Sequence, residues 1–573
     1  MSLQSHLSGL AAKAFAEQGL DGEFGEVLPS QRPELSQFQC NGAMAAAKRA
    51  GRAPREIAEQ VAASLRESTE IAKAEVAGPG FINIDLTDEA LAEWASRTSS
   101  DDHLGFERAG EPRHVLVDYG GPNVAKAMHV GHLRATIIGD SLARLFRFAG
   151  HDVIRDPHFG DWGFQMGLLI ATVTEQGIDP ASITLEDLQR IYPEASARAQ
   201  DDPAFAARAR QTTVALQQGD EGARTIWRQM KTVSEASQRG DFAALGVEFD
   251  LWYGESDVAD HLNDLVARLE ETGVAEISDG ALVVRVDEPG DNREWPPLIL
   301  RTSAGGFLYS TTDLATVAMR VNLGVDLMLY VVDHRQADHF TQVFRVARKA
   351  GIAGPEVSLE HIGFGTMNGP DGKPFKTREG GVVRLADVID MVQTAARRRI
   401  DEAHIAEDYP EEERDVIAAQ VGVAALKFGD LINNRVSDYV FDLDRFSSFE
   451  GKTGPYLQYA AVRIKSILRK AAERGLDSAA IVAPTHPAER ALMLDLFRFP
   501  EVVGRTIDLR APNHVAEYAY ALSGSWNRFY DECHILSEPD PTRRSSWLSL
   551  AAWTEATLAT LLDLLGIEVP DRM

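Results

Sequence analysis

Apolar positions along the first 110 residues follow two different periods. They recur at helical spacing over residues 7–20, 43–50 and 54–68. Over residues 77–85, Phe81, Asn83 and Asp85 alternate with Ile82 and Ile84, the two-residue repeat of a half-buried strand. A polar run, 96–111, predicts a linker. Beyond it the pattern reads strand (114–119), Gly/Pro/Asn turn (120–123), helix (132–148) and strand (151–155), with Gly150 ending the helix. A second such unit spans strand 327–332, helix 336–350 and strand 357–364. Two βαβ units imply a parallel sheet, split here by a polar, mostly helical insertion at about 187–297. After residue 385 only helices are predicted: 388–405, 412–431, 455–474, 487–501, 514–530 and 545–565.

The expected architecture is therefore an α/β, Rossmann-type core with a helical insertion, an N-terminal α+β domain and an all-helical C-terminal domain. Its boundaries are 1–110, 111–190 (first half of the core), 190–298 (insertion), 299–384 (second half), 385–454 (helical stem) and 455–573.

Composition narrows the class without changing this picture. The 573 residues are 44% apolar and 25% charged, which excludes a disordered, collagen-like or disulfide-scaffold chain. No apolar run reaches the ~20 residues that cross a bilayer. The first twenty residues hold one Lys, one Glu and no Arg, so neither a signal nor a transit peptide is expected. The expectation is a cytoplasmic protein that does not engage membranes. A net charge of −28 argues against bulk attraction to nucleic acid. Charge is nevertheless segregated. Arg463, Lys465, Arg469, Lys470 and Arg474 cluster in 461–475, whereas 401–415 carries eight acids and one Arg. Read alone, either run is equally a solvated helix face.

Two segments carry candidate chemistry. In Gly121-Pro-Asn-Val-Ala-Lys-Ala-Met-His129-Val-Gly131-His132, two histidines flank a glycine where a strand hands over to a helix N-terminus. Such an end attracts polyphosphate, imidazoles donate to its oxygens, and a residue without Cβ lets a flat base approach. A helix cap with two surface histidines reads equally well. The loop Asn368-Gly-Pro-Asp-Gly372-Lys373-Pro-Phe-Lys376-Thr377-Arg378 is turn-forming and presents two lysines three apart. It is not a Walker A loop, because Met367 stands where the first glycine belongs. It is either a basic hairpin or a clamp for charge developing at phosphorus. His334, Asp338 and His339 suggest a metal only weakly, since zinc needs a fuller ligand set; no protein-bound metal is expected.

These segments carry a resemblance. His129-Val-Gly-His132 resembles the HIGH motif of class I aminoacyl-tRNA synthetases, and Lys373–Thr377 a variant of their KMSKS loop. More specifically, the chain resembles the arginyl-tRNA synthetase family over nearly its whole length. The matching stretches include Asp118-Tyr-Gly-Gly-Pro-Asn-Val-Ala-Lys126, His158-Phe-Gly-Asp-Trp-Gly-Phe-Gln165, Tyr309-Ser-Thr-Thr-Asp-Leu-Ala315, Lys373-Pro-Phe-Lys-Thr-Arg-Glu-Gly-Gly381 and Glu450-Gly-Lys-Thr-Gly-Pro-Tyr-Leu-Gln-Tyr459.

The resemblance implies that arginine is activated with Mg-ATP and then transferred to the terminal adenosine of tRNA(Arg). It assigns catalysis to His129, His132, Lys376 and Lys126. ATP binding falls to His129, Gly131, His132, His339, Lys373 and Lys376. Asp313 should accept the guanidinium with Tyr309 beside it and Asp118 as a second acid, while Asn123 and Gln336 contact the amino acid's polar groups. tRNA is expected at Arg463, Lys465, Arg469 and Lys470 of the helical, anticodon-binding domain. Aromatics for unstacked bases are expected among Tyr456, Tyr459, Tyr518, Tyr520, Trp526, Phe529 and Tyr530. Phe81 and Asn83 of the N-terminal domain are expected at the tRNA elbow, and Trp162 as a packing anchor. The family suggests a monomer. This chain departs from the pattern at Gly120 and Gly121, where many relatives carry Ser or Ala, and at Pro374-Phe375 inside the lysine loop. A non-catalytic paralogue would have lost His129, His132, Lys376 or Asp313; all four are present.

Overall fold

The computed structural model describes every residue except 304, 370, 374, 376–382 and 406–407. It divides into two compact units. One comprises Met1–Arg108, Phe449–Asp563 and Glu568–Met573; the other comprises Ala109–Ser448 and Leu564–Ile567.

The core of the second unit is a four-stranded parallel sheet in the order Ser358–His361, Leu327–Val331, His114–Tyr119, Asp152–Asp156. Val115, Leu116, Val117 and Leu327–Leu329 are fully buried, as strands covered on both faces must be. The chain leaves the two central strands towards opposite edges of the sheet. Their carboxyl ends, Tyr119 and Val331, therefore flank the crevice where open α/β sheets bind ligands. The helices Val130–Phe148, Tyr309–Asn322 and Ala337–Lys349 pack around the sheet.

The insertion departs from the expectation in one respect. Beside the helices Leu185–Asp201, Pro203–Gln218, Glu221–Ala244 and Leu262–Glu271 it contributes to an antiparallel sheet, Glu276–Ser278, Ala281–Val284 and Leu298–Arg301. These strands are three or four residues long, too short to display a period. The helix Leu185–Asp201 spans the expected boundary at 190, and Leu188, Ile191, Leu216, Ile226 and Met230 share a core with Leu169, Ile170 and Val173.

In the first unit, the N-terminal sheet is antiparallel, in the order Val27–Pro29, Phe38–Cys40, Phe81–Leu86, Ile71–Ala77. Ile82 and Ile84 are fully buried while Phe81, Asn83 and Asp85 are half-exposed, so the predicted alternation holds. The predicted single strand is divided, because a turn at Gly78–Gly80, with positive φ at both glycines, folds it into a hairpin. The predicted linker begins inside the helix Asp88–Ser99, whose N-cap Thr87 accepts from the Ala90 amide at 3.2 Å. In the C-terminal part, the predicted helix 487–501 is two, Pro487–Leu496 and Phe499–Leu509. Pro500 sits in the first turn of the second, where its missing N–H costs nothing.

Candidate active site

The loop after His114–Tyr119 turns through Gly120 and Gly121, both at positive φ (+91° and +42°). The two glycines differ in what surrounds them. A Cβ on Gly120 would lie 2.9 Å from the Phe242 ring of the insertion, whereas one on Gly121 would meet nothing within 4 Å. Val124 N donates to Gly160 O at 3.1 Å, Gly160 N to Pro122 O at 3.1 Å, and Gln238 Nε2 to Asn123 O at 3.0 Å. Asn123 is thereby fixed at the crevice. Lys126 follows, its Nζ 4.5 Å from the Tyr192 ring centroid.

His129 caps the helix Val130–Phe148. Its Nδ1 accepts from the Gly131 amide at 3.0 Å, and His132 Nδ1 accepts from the His129 amide at 3.0 Å. The rings lie 4.0 Å apart. Burial, with Lys126 adding to it, holds His129 below the usual imidazole range; burial and His129 push His132 down to about 3. Both rings are neutral near pH 7, and since each Nδ1 accepts, each proton sits on Nε2. A Cβ on Gly131 would lie 2.8 Å from the His129 ring, so the glycine is required by the cap as well as by any base laid over it.

The lysine loop is pinned at both ends. Met367–Asn368 pairs in parallel with Tyr439–Val440, Gly369 N donates to Lys373 O at 2.7 Å, and Phe375 N donates to Met367 O at 3.2 Å. Beyond the loop, Val130 N donates to Val383 O at 3.0 Å and Leu385 N to Met128 O at 2.9 Å, which brings the returning chain onto the histidine turn. Lys373 is exposed in the described part of the loop; Lys376 lies outside the described residues.

On the other side of the crevice, the helix Tyr309–Asn322 is anchored by Ser310 Oγ to Ile299 O (2.7 Å) and Thr311 Oγ1 to Leu300 O (2.6 Å). Tyr309 is 63% exposed at its first turn, and Asp313 follows on the same face. Here the structure shows partners that the sequence did not. His339, expected against the nucleotide, instead donates to Asp313 Oδ2 at 2.6 Å and packs 4.9 Å from the Tyr309 ring. Asp118, expected as the second acid for a substrate guanidinium, is buried against Arg320, with Arg320 Nη2 2.7 Å from Asp118 and 2.8 Å from Asp156. Arg320 is fully buried, and a buried guanidinium requires its own carboxylates. The histidines and acid that hinted at a metal are dispersed: His334 Nδ1 lies 3.0 Å from Phe364 O, Asp338 pairs with Arg293, and His339 is on Asp313. Gln336 is exposed in the single turn after Leu327–Val331.

One acid was not foreseen. Glu255 accepts from the Trp162 amide at 3.1 Å and lines, with Asn123, Gln165, Tyr192, Gln217 and Tyr309, an open cavity of about 990 Å³. Burial, reinforced by the charge of Asp313, pushes its carboxyl up to about 7. Nothing in Tyr253-Gly-Glu-Ser256 distinguishes it from other acids of a polar insertion; only the fold brings it here. Trp162 is buried and packs edge-on against Trp227, as a packing anchor would.

In the first unit, the aromatics expected to meet bases now divide. Tyr518, Trp526 and Phe529 are core, whereas Tyr459 is 41% exposed and Tyr456, Tyr520 and Tyr530 are half-exposed. Tyr456, Tyr459 and Arg463 share one stripe of the helix Gly454–Glu473. Arg463 lies over Tyr530 (4.4 Å), Lys452 over Tyr520 (5.4 Å), and Asn527 Nδ2 donates to Tyr456 Oη at 2.8 Å. Lys465 is half-buried near Glu555, and Arg469 and Lys470 are exposed. Phe81 and Asn83 share the open face of the N-terminal sheet, where Gln39 Nε2 donates to Asn83 Oδ1 at 2.8 Å.

Comparison with known proteins agrees with this geometry. A family model described as tRNA synthetases class I (R), catalytic domain, matches residues 97–443. A DALR anticodon binding domain matches 457–573, and an arginyl tRNA synthetase N terminal domain matches 1–86. Curated arginine–tRNA ligases of Hyphomonas neptunium and Maricaulis maris are each 48% identical over 589 and 588 residues, covering all of both chains. The Thermus thermophilus arginyl-tRNA synthetase structure superposes with a TM-score of 0.81 at 27% identity, over all of both chains. The strand-end crevice, the histidine cap and the three matched domains together place this chain in the arginyl-tRNA synthetase family of class I tRNA synthetases.

Proposed function

We propose a division of labour by which these residues charge tRNA(Arg). The chain is an ATP-dependent arginine–tRNA ligase of its family's two-step kind. A carboxylate oxygen of arginine attacks the α-phosphorus of Mg-ATP; the bond to the bridging oxygen breaks and pyrophosphate leaves. A ribose hydroxyl of the terminal adenosine of tRNA then attacks the carbonyl carbon of arginyl-adenylate, and AMP leaves. No covalent bond to the enzyme is needed, so its residues act by position and charge.

His129 and His132 donate from Nε2 to the phosphates at the positive end of their helix. Gly131 lies under adenine, Lys126 assists at the phosphates, and Lys373 and Lys376 offset charge on the departing pyrophosphate. Asp313 receives the guanidinium, with Tyr309 over it. Glu255 takes the place of Asp118 as second acid, since Asp118 is held by Arg320; Asn123 and Gln336 orient the amino acid. His339 releases or shares Asp313 when the guanidinium arrives. Lysine or citrulline would leave one of these enclosed carboxylates incompletely paired. The anticodon meets the stripe Tyr456, Tyr459, Arg463 with Tyr520 and Tyr530, and Lys465, Arg469 and Lys470 meet phosphates beside it. Phe81 and Asn83 meet the tRNA elbow. In keeping with the family, the enzyme works as a cytoplasmic monomer.

The observation that carries the assignment is the histidine cap, in which each Nδ1 accepts a backbone amide and each Nε2 is left as the donor. Amino-acid-dependent ATP–pyrophosphate exchange tests it. Exchange should occur with arginine and not with lysine or citrulline, and His132→Ala should abolish it while leaving tRNA affinity intact. Full exchange by that variant would overturn the assignment.

A further inference from the structure

The helix that begins at His129 buries an arginine that the chemistry above does not use. Arg134 is 2% exposed. Its Nε donates to Asp430 Oδ2 at 2.9 Å and its Nη1 to Ser437 O at 3.0 Å. Its guanidinium carbon lies 5.1 Å from the Tyr439 ring centroid and 5.9 Å from that of Phe364. Asp430 is 1% exposed, near the end of the stem helix Glu411–Leu431.

What these partners hold is the base of the lysine loop. Tyr439–Val440 pairs with Met367–Asn368, from which the loop departs. Thr366 N donates to Asp438 Oδ1 at 2.6 Å, and Gly365 N to Arg435 O at 2.9 Å. Phe375, next to Lys376 in the chain, packs edge-on against Phe441 at 5.3 Å. Segment 434–441 thus seats the outgoing side of the loop, and Arg134 ties that segment to the helix carrying His132. Replacing an enclosed guanidinium that bonds Asp430 and Ser437 at once by a point charge would loosen this tie without removing the charge.

We propose that Arg134 is a positioning residue for adenylate formation: it fixes where the lysine loop starts relative to His129 and His132. The proposal rests on the reading that those histidines and Lys376 serve the step that releases pyrophosphate. Its effect is confined to that step, because transfer of arginine to tRNA releases AMP and places no charge on a departing pyrophosphate.

The test uses the full-length enzyme, with two assays on Arg134→Lys: ATP–pyrophosphate exchange, and single-turnover transfer from preformed arginyl-adenylate to tRNA. Exchange should fall roughly 10- to 100-fold through kcat, the cost of slightly misplaced reacting groups, with the arginine KM and the transfer rate within about twofold of the parent. Asp430→Asn should behave alike, and it carries the test if Arg134→Lys does not fold. Unchanged exchange, or an equal fall in both assays, would overturn the proposal, the second outcome marking a merely structural role. His132→Ala and Lys376→Ala run alongside separate the two readings. If neither slows exchange, the site assignment fails and the proposal with it; if both do while Arg134→Lys does not, only the proposal fails.

Discussion

On the nucleotide side of the crevice, the His132 ring accepts from the His129 amide, the His129 ring accepts from the Gly131 amide, and both stay neutral. On the arginine side, Asp118, Asp156, Glu255 and Asp313 face one buried arginine, Arg320, and two imidazoles, His158 and His339. The first side is satisfied by its own helix end and offers donors that need no rearrangement when phosphate arrives. The second gathers carboxylates, and burial, reinforced by the charge of Asp313, keeps the Glu255 proton to about pH 7. The unit thus holds a neutral donor site and an acid-rich acceptor site. Each is matched to the charge of its proposed ligand, phosphate on one side and guanidinium on the other.

The largest effect that separates the sides is expected from Asp313→Asn. Breaking one partner of an enclosed, hydrogen-bonded charge pair costs about 2–5 kcal/mol, so the arginine KM should rise at least ~30-fold. The ATP KM should stay within about twofold; a comparable rise in both would mean that the sides are not independent. Glu255→Gln keeps the acceptor for the Trp162 amide and removes only the charge. Losing one charge-assisted bond of about 1–2 kcal/mol should raise the arginine KM roughly 5- to 30-fold at pH 8. In the parent, arginine affinity should rise with pH through about 7, because the guanidinium favours the ionised carboxyl. The variant should lose that rise. The ATP KM should be flat over the same range, since His132 titrates near 3 and stays neutral. The smallest effect is expected from His339→Ala. Loss of the bond that orients Asp313 should raise the arginine KM roughly two- to fivefold, and steady-state kinetics showing an ATP effect instead would return His339 to the nucleotide.

The two sides were also unequally legible in the sequence. The histidine cap lies within four consecutive residues and Tyr309 and Asp313 within one short stretch, and both stretches carry the family resemblance, which is what pointed to them. Glu255, Arg320 and Arg134 act on partners 58, 202 and 296 positions away or more distant still in chain order, as Glu255 to Asp313, Arg320 to Asp118 and Arg134 to Asp430. No periodicity links such pairs before the sheet assembles. The pairing of Asp118 was hidden for the same reason, since its partner Arg320 is an unremarked position on the inner face of a helix. In the fold, the βαβ units and stem helices were legible because their elements are long. The three- and four-residue strands of the insertion and the hairpin at Gly78–Gly80 were not, because a period needs several repeats to be seen.

Proton release on binding tests the contrast between the two sides most directly. Calorimetric titration at pH 7 in buffers of different ionisation enthalpy, with arginine and separately with ATP, counts it. Arginine should release about half a proton, from the half-ionised Glu255, and ATP none from the histidines. The release should vanish in Glu255→Gln. No release with arginine, or an uptake of protons with ATP, would contradict the account.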